Sequence, residues 1–252
     1  MPKTAAMNKL KPLSPIRRRY ILRLILRIAV LIFCAVWLIH DPSQADILRG
    51  WNFFRRLSPF HILWVLWIVD MLWQLIPVQK NLHIALGSQK HFRFRFQPVA
   101  EKINYPALRD HIISTTKAAY KVFLIWIAVV ALVSFLRYFN VLDDAALFLI
   151  TIAFYVCDLI CVVVWCPFRL ILRTRCCTTC RIFNWDHLMM FSPMLLISGF
   201  YPRSLLIMAM VVWLIWELFI MMYPERFWEQ TNEALRCANC TDRLCGKRFE
   251  QE

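Results

Sequence analysis

Residues 21–39 read ILRLILRIAVLIFCAVWLI, apolar throughout except for Arg23 and Arg27. The core of a secretory signal spans about 7–15 residues and ends at a small-residue cleavage site. This run is longer, and His40-Asp41-Pro42 follows it. It therefore reads as a retained first membrane crossing, for which about 20 apolar residues are needed. Further along the chain, the same reading applies to 57–77, 119–139, 145–166 and 204–223. Segment 188–201 is short for a crossing and contains Ser192-Pro193. It is either a tilted or broken span that begins near Trp185, or a re-entrant piece, which is tolerated only when shielded from lipid. The expected fold is an all-α polytopic transmembrane helix bundle of about six spans, the fifth short or broken.

Composition agrees with that expectation. The chain is 60% hydrophobic, with 4 Gly, 11 Trp and 19 Phe, whereas soluble domains are about 45–50% apolar. The net charge of +14 is accounted for by loops, since cytosolic loops of membrane proteins are rich in Lys and Arg. Nucleic acid is therefore not an expected partner. Residues 1–20 carry six basic and no acidic side chains, 78–118 seven and two, and 167–187 four and one. The alternate loops are poorer, with three basic residues in 40–56, none in 140–144 and Arg203 alone in 202–203. The asymmetry predicts that both termini are cytosolic. The expected organisation is a basic cytosolic N-terminus (1–20), a bundle (21–223) carrying a basic cytosolic loop (78–118), and a cytosolic cysteine-containing tail (224–252). The expected location is the cell's cytoplasmic or plasma membrane, with multiple passes.

Three local patterns add detail. His91-Phe92-Arg93-Phe94-Arg95-Phe96 alternates like a strand with one aromatic and one basic face. That pairing suits anionic lipid headgroups, so the bilayer is the expected partner; no protein partner can be identified. Residues 105–117 read as a helix that leads into the third span. Residues 225–236 read as another, with Glu225, Glu229 and Glu233 on one face.

The chemistry resides in two sets of residues. The first is cysteine: Cys177-Thr178-Thr179-Cys180 and Cys237-Ala238-Asn239-Cys240, with Cys176 and Cys245 as possible substitutes. If both pairs face the reducing cytosol, disulfides are disfavoured. Four thiolates at this spacing suit a tetrahedral Zn2+ site, and an iron–sulfur cluster is the alternative. The usual zinc pattern separates its pairs by about 15–20 residues. Here an intervening helical hairpin must bring them together, and nearby arginines, Arg181 among them, would balance the thiolate charge. Cys34, Cys157 and Cys161 read as apolar packing residues, and Cys166 ends the fourth span.

The second set is an intramembrane polar layer. Asp70, Asp158 and Glu217 lie roughly 9–12 Å from the cytosolic ends of their spans, and Arg27 reaches a similar depth. Gln74 lies one turn from Asp70, and Asp186 and His187 begin the fifth span nearby. Unpaired charge in hydrocarbon costs several kcal/mol or more, on the order of the cost of burying any isolated ion. The four residues should therefore meet one another, either as a structural salt-bridge layer or as an ion or proton relay. Asn184 reads as the N-cap of the helix that follows it, and the neighbours Asp186 and His187 are expected to diverge. The sequence contains no P-loop, GxSxG, HExxH, Rossmann or kinase signature. The leading functional reading is non-enzymatic: a membrane protein with a structural or regulatory cytosolic metal site. A membrane redox component and a small ion- or proton-coupled transporter are the alternatives.

Overall fold

The computed structural model describes residues 15–77, 87–174 and 179–239. Among these residues the regular structure is helical: α1 (Pro15–His40), α2 (Phe60–Leu75), α3 (Tyr105–Tyr138), α4 (Asp144–Val163), α5 (Phe168–Leu172), α6 (Asp186–Phe191) and α7 (Phe200–Met222). Helices α1, α3, α4 and α7 are long and apolar enough to cross a membrane, and α2 is apolar but shorter. Their outer faces carry exposed Leu22, Ile25, Leu26, Ile32, Ile62, Leu124, Leu132 and Ile207. An apolar surface this continuous is untenable in water and ordinary in lipid.

Local chemistry sets the helix limits. Asn104 and Asp143 cap α3 and α4 by accepting from the amides of Ala107 (3.2 Å) and Ala146 (2.7 Å). Helix α3 joins the two segments 105–117 and 119–139 without a break, because no Gly or interior Pro interrupts them. Helix α2 is trimmed to Phe60–Leu75 relative to the expected 57–77, because Pro59 precedes its first residue. Helix α4 stops at Val163 rather than at 166, shortly before Pro167, whose ring and missing N–H disfavour continuation.

Segment 188–201 is a broken element. Helix α6 ends at Phe191, and a 3-10 turn covers Ser192–Leu196. Together they rise about 19 Å, well short of the roughly 30 Å hydrocarbon core. Most of the segment is buried, including Met190, Phe191, Pro193 and Met194. It packs between α4 and α7, while α1 lies along α4 and α2 along α7. Ser192 anchors the break: its hydroxyl donates to Met189 O (2.7 Å) and accepts from Trp126 Nε1 (3.1 Å).

Two further local expectations are corrected. Residues 91–96 form a turn rather than a strand, with the amides of Arg95 and Phe96 both donating to Phe92 O at 3.0 Å. His91 is buried and stacked between Phe183 and Phe227, at centroid distances of 4.9 and 4.5 Å. Residues 225–236 are two short turns, Pro224–Arg226 and Glu233–Leu235, instead of a helix. Side chains take the carbonyls a helix would need: Thr231 Oγ1 donates to Glu225 O (2.5 Å), and Asn232 Nδ2 to Arg226 O (2.9 Å).

The bundle has two distinct ends. At one, Gly50 pairs with the 198–200 backbone: its amide donates to Ser198 O, and its carbonyl accepts from Phe200 N, both at 2.8 Å. Beside this pairing, buried Asp144 holds both Arg49 and Arg137. At the other end, the segment after α7 docks on residues 89–99. Glu233 N donates to Gln97 O (2.8 Å), and His91 Nδ1 lies 3.1 Å from Arg226 O.

Candidate functional site

Helices α1, α2, α4 and α6 each contribute polar groups to one cluster inside the apolar bundle. Arg27 Nη1 donates to Asp158 Oδ2 (3.0 Å) and to the carbonyl of Tyr155 (2.7 Å). Its Nη2 lies 3.7 Å from Asp70 Oδ2, and its guanidinium sits 3.6 Å from the Tyr155 ring centroid. The ring supports the cation on a face that carries negative potential. From the α6 side, His187 Nε2 lies 3.5 Å from Asp70 Oδ2, and His187 Nδ1 lies 3.2 Å from Asp186 Oδ1. Gln74 Nε2 donates to Asp186 Oδ2 (2.9 Å) and is 3.1 Å from His187 Nδ1. The chain of contacts thus runs Asp158–Arg27–Asp70–His187–Asp186–Gln74.

The charges in direct contact within this cluster do not balance. Three carboxylates face one guanidinium and one imidazole. With His187 cationic, two positive charges meet three negative ones; with His187 neutral, one meets three. Arg23, exposed one turn away, acts on Asp70 through its field and forms no contact in the chain just traced. Asp70 and Asp158 keep 35% and 31% of their side-chain surface open, while His187 keeps 6%. Toward the Gly50 end, the cluster is closed off by Phe60, Trp67, Phe148, Phe191 and Tyr201, all buried. Trp67 meets Phe191 edge-on at 5.2 Å, and Phe60 meets Phe148 at 4.9 Å.

Glu217 does not belong to this cluster. It binds Arg181 through two parallel bonds of 2.8 and 2.5 Å, and Trp185 Nε1 donates to it at 2.8 Å. Asn184 Nδ2 adds a longer contact of 3.4 Å. This second site is a neutral, well-donated pair of the kind that holds helices in register. It also corrects two expectations: Arg181 neutralises a carboxylate here, and Asn184 turns toward Glu217 instead of capping α6, whose preceding residue is Trp185.

The structure thus brings Arg27, Asp70 and Asp158 together and sets Glu217 apart with other partners. Asp186 and His187 do touch, contrary to the divergence expected for helical neighbours, because Asp186 is the first residue of α6 and no preceding turn confines it. Tyr155 was not read from sequence as a member, although it lies three residues before Asp158 on the same helical face. Asp144 was missed as well, since its partner Arg49 lies in a loop whose path sequence does not reveal.

Of the candidate thiolate ligands, Cys180 and Cys237 are described, whereas Cys176, Cys177, Cys240 and Cys245 lie outside the described residues. Cys180 is partly buried in a cleft lined by His91, His111, Arg181, Phe183 and Phe227. Cys237 begins a turn in the docked segment after α7. Among the described residues, no three His, Cys, Asp or Glu side chains converge as a metal site. The chain matches no protein-family model, no curated protein and no solved structure.

Proposed function

We propose that this chain is a six-span membrane protein, with both termini cytosolic, that binds and releases a proton at the Arg27–Asp70–Asp158–Asp186–His187 cluster. The observation that carries the reading is the charge surplus. A structural salt-bridge layer would be closed and balanced, as Arg181–Glu217 is. The cluster instead holds one carboxylate more than its contacting cations can neutralise, even with His187 charged. A low-dielectric bundle relieves such a surplus by taking up a proton or a small cation. Two of the acceptor groups sit on a broken apolar segment, the arrangement by which many transporters build ion sites near the midplane. The aromatic wall toward the Gly50 end makes access one-sided, which fits a small proton-coupled transporter in its closed state. Basic loops and anionic headgroups would set its orientation in the plasma or cytoplasmic membrane.

Proton uptake by the protein in lipid nanodiscs, followed with a pH dye on acidification, tests the reading. The wild type should take up a proton that the Asp70→Asn/Asp158→Asn double variant does not. Identical titrations would rule the proposal out.

A second reading concerns the thiols. Cys180 and Cys237 sit on segments at the same end of the bundle, and this supports a shared Zn2+ site of Cys177, Cys180, Cys237 and Cys240, with Cys176 or Cys245 as substitutes. An iron–sulfur cluster is the alternative occupant. Elemental analysis of anaerobically purified protein separates them: zinc without visible absorption, or iron with labile sulfide. Unchanged metal content in a Cys237→Ser/Cys240→Ser variant would sink both.

A further inference from the structure

His187 is the most enclosed member of the polar cluster, with 6% of its side-chain surface open. Its two ring nitrogens face different partners. Nε2 faces Asp70 Oδ2 at 3.5 Å. Nδ1 stands between the Gln74 amide nitrogen, at 3.1 Å, and Asp186 Oδ1, at 3.2 Å. Which of the two it engages fixes the tautomer, because a ring nitrogen accepts from a donor only when it carries no proton. Gln74 settles the choice. Its amide nitrogen also donates to Asp186 Oδ2 at 2.9 Å, and a carboxylate oxygen requires a donor at that place. The NH2 end of Gln74 therefore points into this corner, with one N–H on Asp186 Oδ2 and the other on His187 Nδ1. Nδ1 is the bare, accepting nitrogen, and the ring is neutral with its proton on Nε2, toward Asp70. Asp186 Oδ1 is buried, yet it accepts no hydrogen bond among the described residues. At 3.2 Å from Nδ1 it is near enough, so what it lacks is direction. An acceptor left without a donor thus waits beside a nitrogen left without a proton.

We infer that His187 Nδ1 is the atom that takes up the proton, that Gln74 is the positioning residue that keeps this nitrogen free, and that Asp186 Oδ1 receives the new N–H. The inference rests on the proton-binding reading of the cluster and names the atom within it. The step balances simply: a proton from water forms the Nδ1–H bond, the Nε2–H bond is retained, and neutral imidazole becomes imidazolium. The new N–H then opposes the Gln74 N–H, donor against donor. A small turn of the ring moves it onto Asp186 Oδ1, while Gln74 keeps its bond to Asp186 Oδ2. Release reverses these movements. The charges around the ring favour the uptake. Helix α2 supplies Asp70, and α4 supplies Asp158, which Arg27 of α1 already holds. Arg23 of α1 acts only through its field, and Glu217 of α7 is engaged by Arg181. Asp70 and Asp186 are therefore the charges nearest the ring.

Nitrogen NMR of the full-length chain in lipid nanodiscs, with isotope-labelled histidine, tests this. The His187 signals are assigned by backbone correlation to Asp186 and Leu188, and followed from about pH 9 to about pH 5, which brackets the ordinary imidazole range. The expected wild-type spectrum shows only the Nε2–H tautomer at the alkaline end and protons on both nitrogens at the acidic end. Gln74→Leu removes the donor that keeps Nδ1 bare, so the Nδ1–H tautomer should rise at least fivefold at alkaline pH. A change of tautomer is not expected from a residue that merely ties α2 to α6. An Nδ1–H tautomer in the alkaline wild type would overturn the inference, as would an unchanged tautomer in Gln74→Leu. If that variant fails to fold, the wild-type spectra decide alone. An imidazole that keeps one form throughout, while Asp70- and Asp158-dependent proton uptake persists, would place the proton on a carboxylate and overturn this inference alone. An imidazole that switches as expected, with uptake unchanged in the Asp70→Asn/Asp158→Asn variant, would support it and sink the carboxylate-surplus reading instead.

Discussion

At the scale of single residues, the two buried ion sites make opposite predictions from similar chemistry. Glu217 is held by a bidentate guanidinium and an indole N–H. Neutralising it as Glu217→Gln strands Arg181, and breaking a buried pair on one side costs about 3–5 kcal/mol. Asp70 touches its cations only at 3.5 and 3.7 Å and belongs to a surplus of negative charge. Asp70→Asn should therefore cost less than about 1 kcal/mol, the net worth of one ordinary hydrogen bond. Arg27→Ala should be the most damaging of the three, since it removes a guanidinium shared by Asp158, Asp70 and the Tyr155 carbonyl. Thermal unfolding in one detergent ranks the variants. If Asp70→Asn loses as much stability as Glu217→Gln, the cluster is a balanced structural layer and the surplus argument fails.

At the scale of elements, what decides the architecture is where backbone meets backbone. A Cβ on Gly199 would stand 2.0 Å from Leu48 O and 2.9 Å from Gly50 N, both backbone atoms with little room to yield. Gly199→Ala should cost at least the roughly 1–3 kcal/mol of an overpacked core. Gly50 has open space around its Cβ position but a φ of +51°, so Gly50→Ala should cost about 1–2 kcal/mol from backbone strain alone. Differential scanning fluorimetry should place Gly199→Ala below Gly50→Ala. The docked segment after α7 depends on Asn232, which is fully buried; its Oδ1 accepts from Gln97 N and Ala234 N, and its Nδ2 donates to Arg226 O. Asn232→Ala orphans those groups at about 1–3 kcal/mol, and limited proteolysis should then cut between 224 and 239 far faster than in the wild type. These features also mark what sequence could and could not tell. Long apolar runs are legible because hydrocarbon demands them over a fixed length, so α1, α3, α4 and α7 were evident apart from their ends. Arg27, Asp70 and Asp158 could be placed at one depth because rise per residue is constant. The partner of Glu217 was not legible, since Arg181 lies on an irregular segment whose path depends on packing. The turns at 91–96 and 225–236 escaped for the same reason: period-2 and period-4 patterns are local, and Asn232, Thr231 and His91 are satisfied by residues distant in sequence.

At the scale of the whole molecule, topology turns on the broken segment between α5 and α7. A re-entrant segment would leave and return at the same end of the bundle. Here Asp186, at its start, contacts Gln74 near the C-terminal end of α2, while Gly199, after its end, pairs with Gly50 in the loop that precedes α2. The segment therefore starts near the cluster, beside one end of the bundle, and finishes at the other, and it can be short because its polar first residues are sheltered by α2 and α4. This supports a sixth crossing, with the segment after α7 on the side where α2 ends. Sidedness of labelling tests it directly. In single-cysteine variants, Cys237 should react with a membrane-impermeant maleimide only after the cytosolic face is exposed, while a Ser43→Cys variant, in the loop before Gly50, should react in intact cells. If Cys237 and position 43 label together, the broken segment does not cross. The chain would then have an odd number of spans, with Cys177 and Cys240 on opposite faces. A shared metal ion would be geometrically impossible, yet the polar cluster would survive, because Arg27, Asp70, Asp158 and His187 meet inside the bundle whichever way it is inserted.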